Sequence, residues 1–289
     1  GDYRRVALYG VDYLIEQKQL DKKKVGENIM DVDTIRLSEE LFQQIMSMSR
    51  KRQYQLLTEH GQTEKPDFKE VDHLNYKNAK IVFQGTEGAY SQLALNEYFG
   101  ENADSYHVDT WRDAMEAIKN GEADYAVLPI ENSSAGSVRE NYDLLVEYDH
   151  CIVGEQIIKI EHVLLGLPEA ELSDIDQVYS HPQGLSQCHA FFRSHPFLRA
   201  VPCSNTAEAA RMVAERKKRT LAAVAGIQAA ETYGLSVLMR GIQTNQSNYT
   251  RFVIIGKKKE ISPKADKMTL VVTLPHEPGS LYRVLSHFD

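Results

Sequence analysis

Small hydroxyl and amide residues collect at five places in the chain. Four are Gly85-Thr86-Glu87-Gly88-Ala89-Tyr90-Ser91, Glu131-Asn132-Ser133-Ser134, Ser180-His181-Pro182-Gln183 with Gln187 just beyond, and Ser204-Asn205-Thr206. Each of these follows an apolar, strand-like run and opens a helix-like stretch. Helix N-termini carry unpaired N–H groups and about half a positive charge, which suits a carboxylate. The fifth, Asn248-Tyr249-Thr250-Arg251-Phe252, sets a hydroxyl beside a guanidinium at the start of an apolar run. The chemistry on offer is capture of an anion by local donors. None of these segments is a GxGxxG or Gly-Lys-Ser/Thr phosphate loop, and no GxSxG elbow or HExxH pair occurs. Metal catalysis therefore has little support, and no metal or cofactor is expected. Cys151, Cys188 and Cys203 show no CxxC spacing and read as small buried hydrophobes of a reducing compartment.

Stepping along the chain, the elements that must position these residues are legible from their periods. Strands are expected at Ile81–Gln84, Tyr125–Ile130, Ile152–Ile160, Val163–Leu167, Gln177–Ser180, Ala222–Ala225 and Arg251–Ile255, with helices at about 89–99, 111–119, 137–147, 183–194 and 206–218. Thr110 before Asp113 and Asn205 before Glu208 have capping-box spacing, and Gly121 sits where a helix would stop. The alternation predicts an α/β fold with mostly parallel sheets, whose ligands bind beyond the carboxyl ends of strands. Before this zone, Val6, Leu8, Val11, Leu14 and Ile15, and later Leu41, Ile45, Met48, Leu56 and Leu57, recur at helical spacing. Glu59–Lys77 and Glu260–Lys267 read as polar linkers. Met268–Leu274 alternates like a strand, and a helix opens at Leu281, Val284 and Leu285.

The chain has 289 residues and a net charge of −8, with a pI near 5.7. The length predicts about two domains. The acidity argues against a general nucleic-acid or anionic-membrane surface. The longest apolar runs are strand-sized, such as Val163–Leu167, which excludes a bilayer-spanning helix. With no signal-peptide pattern at Gly1, a cytoplasmic location is expected. The missing initiator Met and the stop at Asp289 suggest a chain cut at both ends.

Taken together and in order, GTEGAYS at 85–91, PIENSSAGSV at 129–138, YSHPQGLSQC at 179–188 and NYTRFVIIG at 248–256 resemble the prephenate dehydratase family, over about Lys80 to Lys257. The resemblance implies two α/β lobes arranged like a periplasmic binding protein, with the site in the cleft between them. The chain would cross twice, so that the lobe with Ile81–Ile130 also holds Arg251–Ile255. It implies conversion of prephenate to phenylpyruvate, in phenylalanine synthesis, with no cofactor. The departing hydroxide needs a hydrogen-bond donor or general acid. The family gives that role to the Thr of Thr-Arg-Phe, here Thr250. Glu131 either shares a proton with the leaving hydroxyl or is a buried cap. Asn132, Ser133, Ser180, His181 and Gln187 match segments expected to bind substrate, with Ser91, Ser204 and Thr206 as carboxylate donors. Arg251 either holds a carboxylate or bridges the lobes by a salt bridge, and Phe252 packs. The alternative is a catalytically impaired, two-lobed anion-binding module.

The flanks resemble other families. Leu41–Leu57 is similar to the last helix of the chorismate mutase often fused ahead of the dehydratase, with Ser49 and Gln53 on one face. Residues 1–40, with GDYRRVALYG, resemble a piece of pyruvate formate-lyase. Two readings are open for them, a foreign segment in a chimeric chain or a divergent mutase N-terminus. Residues 267–289 resemble the opening of an ACT domain, with Gly279-Ser280-Leu281 at the family's effector turn. In that family L-phenylalanine binds between paired ACT domains, and here its site is expected to be incomplete. The domain plan is thus 1–40, 41–78, 79–258 and 267–289, in a family that is usually homo-oligomeric.

Overall fold

The computed structural model describes residues 41, 45, 46, 48, 49, 52, 53, 56, 57, 59, 60, 68–71, 74, 76–285 and 288. The segment 1–40 and its two readings lie outside these residues. The chain divides into two units, Gly1–Pro66 with Thr273–Asp289, and Asp67–Val272. In the first unit the described residues from Leu41 to Glu59 are helical, with Ser49 and Gln53 exposed. A short helix, Ser280–Leu285, follows Gly279, whose φ of 83° is left-handed. Ser280 is buried, and Leu281 is exposed.

The second unit holds the sequence motifs and consists of two lobes. The first contains β1 (Lys69–Glu70), β2 (Lys80–Gln84), α1 (Tyr90–Phe99), β3 (Asp104–Val108), α2 (Trp111–Asn120), β4 (Tyr125–Asn132), β5 (Gly136–Ser137), α3 (Arg139–Tyr148) and β6 (Cys151–Lys159). The chain then crosses to the second lobe, with β7 (Val163–Gly166), β8 (Gln177–Ser180), α4 (Pro182–Gln187), α5 (His189–Ser194), β9 (Arg199–Pro202), α6 (Thr206–Arg216), β10 (Leu221–Ala225), α7 (Ile227–Tyr233) and β11 (Ser236–Met239). It returns to the first lobe for β12 (Tyr249–Gly256) and β13 (Glu260–Ile261). The expected double crossing, with the 251–255 strand in the lobe of residues 81–130, is thus present.

The first-lobe sheet has the order β3-β2-β4-β12-β6, with β5 on β4, and the second-lobe sheet the order β11-β7-β10-β8-β9. Both are mixed rather than mostly parallel. Strand β2 runs parallel to β3 and β4, and β8 runs parallel to β9 and β10. Strand β12 is antiparallel to β4 and β6, and β7 is antiparallel to β10 and β11. The reason is the crossing. A strand that leaves for the other lobe and one that returns from it share one hinge, so side by side they must run in opposite directions.

Alternation in β12 explains how its sheet is covered. Val253 and Ile255 join Met115, Ile118 and Leu144 on one face, under α2 and α3. Phe252 and Ile254 join Phe83, Ala94 and Leu95 on the other, under α1. Helix α2 begins at a complete capping box between Thr110 and Asp113 and ends at Gly121, whose φ is 75°. At α6, Asn205 Oδ1 accepts from Glu208 N at 2.7 Å. The reciprocal half of that box is absent, because the Glu208 carboxylate pairs with Arg211.

Other expectations need correction. The 183–194 helix breaks at Cys188 into α4 and α5. Met268–Leu274 forms no strand. No described strand pairs with it, and Met268, Leu270, Val271 and Val272 are exposed; a strand without a ladder partner has nothing to satisfy its backbone. The two polar stretches read as linkers are not free. Lys69 pairs with Glu260 and Glu70 with Ile261, in parallel, through backbone bonds that need no particular side chains. Tyr76, also in the first stretch, packs edge-on against Tyr98, Phe99 and Tyr125. Of the cysteines, only Cys188 is fully buried, its thiol pushed up to about 12 by burial, while Cys151 and Cys203 are half-buried.

Candidate active site

A cavity of about 150 Å³ lies between the lobes of the second unit. Gln84, Gly85, Ala89, Tyr90, Ser91, Pro129 and Phe252 line it from the first lobe, and Asn205 and Thr206 from the second. It therefore sits beyond the carboxyl ends of β2 and β9, as the fold class requires. Two of the four expected helix N-termini converge here. Helix α1 has no side-chain cap, since Ala89 occupies that position. Helix α6 is capped at one N–H only, by Asn205. The lining carries no formal charge, so an anion here would be held by neutral donors and helix ends. Gly85, with φ of 121°, gives the chain the turn it needs between β2 and α1.

Beside the cavity lies a buried polar cluster. Thr250 is two residues before the cavity-lining Phe252 and shares its face of β12. Thr250 Oγ1 accepts from Asn132 Nδ2 at 2.9 Å, and no described group accepts the hydroxyl's own proton. Asn132 Nδ2 also donates to Asn248 Oδ1 at 2.9 Å and to Tyr249 O at 3.2 Å. Asn132 Oδ1 accepts from Ser134 N and Ala135 N at 3.0 and 2.9 Å. The Asn132 amide is thereby fixed at both ends, and Thr250 is held with its donor unspent. Asn248 is 1% exposed, and its Nδ2 has no partner among the described residues. Ser133 Oγ accepts from Tyr249 N at 2.9 Å and donates to Ser247 O at 3.2 Å, tying the 245–249 loop to β4.

The site differs from the sequence reading in its parity. The β4–β12 register shifts between Arg251 and Phe252, where Glu131 faces Arg251 but Pro129 faces Phe252. Ile130 is the extra residue of a bulge, which turns the following residues over. Asn132 thereby pairs with Thr250 on the cavity face. Glu131 pairs with Arg251 on the other face, where it is exposed and forms no ion pair with a described residue. It is neither a buried cap nor a neighbour of the Thr250 hydroxyl. Arg251 donates from Nε to Glu155 Oε2 at 2.7 Å. This is a salt bridge within the first lobe, not across the lobes, and Lys267 shares the same carboxylate. Hydrogen bonds from Lys267 and Arg251 hold Glu155 below the usual carboxylate range against a desolvation cost.

The remaining expected residues separate. Ser91 lines the cavity, its hydroxyl proton given to Gln84 O at 2.6 Å. Thr206 lines it at the first residue of α6. Ser204 is exposed and outside the lining. Ser180 is fully buried and donates to Val224 O at 2.6 Å, so it joins two strands and cannot meet a ligand. His181 caps α4, Nδ1 accepting from Gln183 N at 3.2 Å, and burial holds its imidazole below the ordinary value. Gln187 contacts the buried His162 at 2.8 Å. Asn205 belongs to the Ser204–Thr206 segment expected to donate to a carboxylate, whereas Tyr90, Gln84 and Pro129 were not singled out as site residues. Their signal was position alone, at the strand–helix junctions already marked.

Fold and site together define a two-lobed α/β protein with an interlobe cleft suited to a carboxylate ligand. The chain belongs to the prephenate dehydratase family, whose model matches residues 81–260. It is 39% identical over 215 residues to arogenate dehydratase/prephenate dehydratase 6, chloroplastic, of Arabidopsis thaliana, covering 73% of this chain and 52% of that one. It is 35% identical over 251 residues to the bifunctional chorismate mutase/prephenate dehydratase of Escherichia coli K12, covering 85% and 62%. The crystal structure of prephenate dehydratase from Arthrobacter aurescens in complex with L-Phe superposes with a TM-score of 0.61 at 31% identity, over 72% of this chain and 71% of that one. The chain thus spans about half to three-fifths of the length of the two curated relatives. Among the described residues no helix is long and apolar enough to cross a membrane.

Proposed function

We propose that this chain converts prephenate to phenylpyruvate, carbon dioxide and water. The bond to the ring carboxylate breaks, its electrons complete the aromatic ring, and the opposite carbon–oxygen bond releases hydroxide, which takes up a proton. Aromatisation supplies the driving force, so the protein has to hold two carboxylates and receive the departing oxygen. The observation that carries the reading is the Thr250 hydroxyl, fixed by Asn132 at 2.9 Å with its proton uncommitted, beside a cavity fed by two helix N-termini. Thr250 is the catalytic donor, and Asn132 is the residue that aims it. The ends of α1 and α6, with Ser91, Asn205 and Thr206, are carboxylate donors. Prephenate is the substrate, and residues 41–78 and 267–289 are flanking segments of mutase and ACT type.

The test is production of phenylpyruvate from prephenate by the purified chain, with Thr250→Val as control. Arogenate, named for the Arabidopsis relative, is the second substrate to offer. Turnover of neither substrate, with prephenate still bound, would replace the enzyme by an anion-binding module.

A further inference from the structure

The crossing between the lobes contains a buried histidine that the cavity leaves without a role. His162 lies between β6 and β7 and is 3% exposed. Its Nδ1 is 3.3 Å from Tyr90 Oη, at the first residue of α1 in the first lobe. Its Nε2 is 2.8 Å from Gln187 Oε1, at the last residue of α4 in the second lobe. Its backbone N–H donates to Gln243 Oε1 at 2.9 Å, and Gln243 Nε2 donates to Ile160 O at 3.1 Å. Gln243 belongs to the return crossing, so both crossings and both lobes meet around one imidazole.

The surrounding groups fix its state. Tyr90 Oη donates its proton to Glu161 O at 2.8 Å. Burial holds the Tyr90 phenol and the Cys188 thiol above their ordinary values, and both stay neutral. The Glu161 carboxylate is turned to Lys159. Burial holds His162 below its ordinary value, so no charge sits in the hinge near pH 7. A neutral imidazole that meets the Gln187 carbonyl oxygen does so with a proton on Nε2. That contact occupies Gln187 Oε1. The Gln187 amide nitrogen has no acceptor among the described residues and is not sealed from solvent.

We infer that His162 is a positioning residue: its Nε2–H orients the Gln187 side chain so that the amide N–H groups are presented as donors, while its ring packs edge-on against that of Tyr90 across the hinge. Gln187 is not among the residues that line the cavity; the use of that donor for substrate rests on the dehydratase reading, and the orientation itself does not. Sequence alone hid the residue, because a single His between two apolar strands reads as core.

The experiment separates the two edges of the ring. Glutamine reproduces a donor at the place of ring Nε2, and asparagine one at the place of Nδ1. His162→Gln is expected to keep kcat/KM for prephenate within about threefold of the parent. His162→Asn is expected to lower it about tenfold, chiefly through KM, the size of one lost hydrogen bond to a binding group. In a Gln187→Leu background His162→Asn should have little further effect. Equal losses in the Gln and Asn variants, or losses that simply add in the double variant, would overturn the inference, since a merely structural role predicts both. A second readout does not depend on turnover. In the full chain labelled with ¹⁵N-histidine, His162 should appear as the Nε2–H tautomer, with a ring proton whose shift moves on Gln187→Leu. An Nδ1–H tautomer, or no response to that substitution, would refute it. If the parent chain turns over no prephenate but the ring signals are as expected, the dehydratase reading fails and the hinge assignment stands.

Discussion

Thr250→Val is the substitution that most directly tests the catalytic assignment, because it keeps the branched shape and removes only the oxygen. Its effect on folding can be worked from the contacts. Thr250 Oγ1 receives one hydrogen bond, from Asn132 Nδ2. Without it that nitrogen still donates to Asn248 Oδ1 and Tyr249 O, so no buried donor is orphaned. The stability cost is therefore that of one neutral hydrogen bond, about 0.5–1.5 kcal/mol. Loss of a donor aimed at a developing oxyanion is larger, about 10²–10³ in kcat. The two quantities are separable: phenylpyruvate formation from prephenate reports the second, and the urea midpoint reports the first. Thr250→Ser, which keeps the hydroxyl, should retain most of the activity. If Thr250→Val folds and turns over within about threefold of the parent, the hydroxyl does not assist departure of the leaving group. The Thr250–Asn132 pair would then be a structural bond of the β4–β12 ladder.

Three further outcomes follow from the packing. Arg251→Met should lower the melting temperature slightly, because the Glu155 pair is partly exposed and worth about 1 kcal/mol or less, while leaving kcat/KM within about threefold; a tenfold loss would put Arg251 back at the substrate. Gly154→Ala should destabilise by about 1–3 kcal/mol through overlap of the new methyl with the Tyr98 phenol, and denaturant melts should show much of that recovered when Tyr98→Leu is added. His162 titrates below its ordinary value in the folded chain, so the unfolded state binds more protons below about pH 6.5 and stability must fall as pH falls through that region, by at most about 1.4 kcal/mol per pH unit. Urea midpoints between pH 5 and 7.5 should show a weaker pH dependence for His162→Gln than for the parent, and an unchanged slope would exclude His162 as a contributor.

How much of this was legible depended on whether a residue's neighbours are set locally or across the fold. The central strands announced themselves as apolar runs, and Gln177–Ser180 was placed to the residue. Of the strands missed, the three longer than two residues, Asp104–Val108, Arg199–Pro202 and Ser236–Met239, all lie at sheet edges. An edge strand is only part-buried, so its side chains need no apolar pattern. Helix starts at Thr110 and Asn205 were readable because a cap is a local bargain between neighbouring residues. The choice between Glu131 and Asn132 was not readable, because it is made by a bulge in the pairing of β4 with β12, and nothing within β4 itself reports that register. Ser180 failed for a similar reason. Its motif is that of a ligand-facing turn, but its hydroxyl points at a carbonyl of the neighbouring strand.

The short parallel pairing of Lys69–Glu70 with Glu260–Ile261 has a consequence for how such a protein can be built into longer ones. It brings together the points where the chain enters and leaves a body of some 190 residues, much as a drawstring closes a bag. The second lobe repeats the arrangement on a smaller scale, inserted between β6 and β12 with its two strands of passage joined through Gln243. Once such a ring is closed, lengthening the chain outside it adds almost nothing to the entropy of closure, and lengthening it inside adds only logarithmically. Extra segments can therefore be gained, lost or exchanged at either end without pulling on the cleft. Nested closure thus gives this body the independence of a cassette, and changes in its flanks are something this topology tolerates by construction.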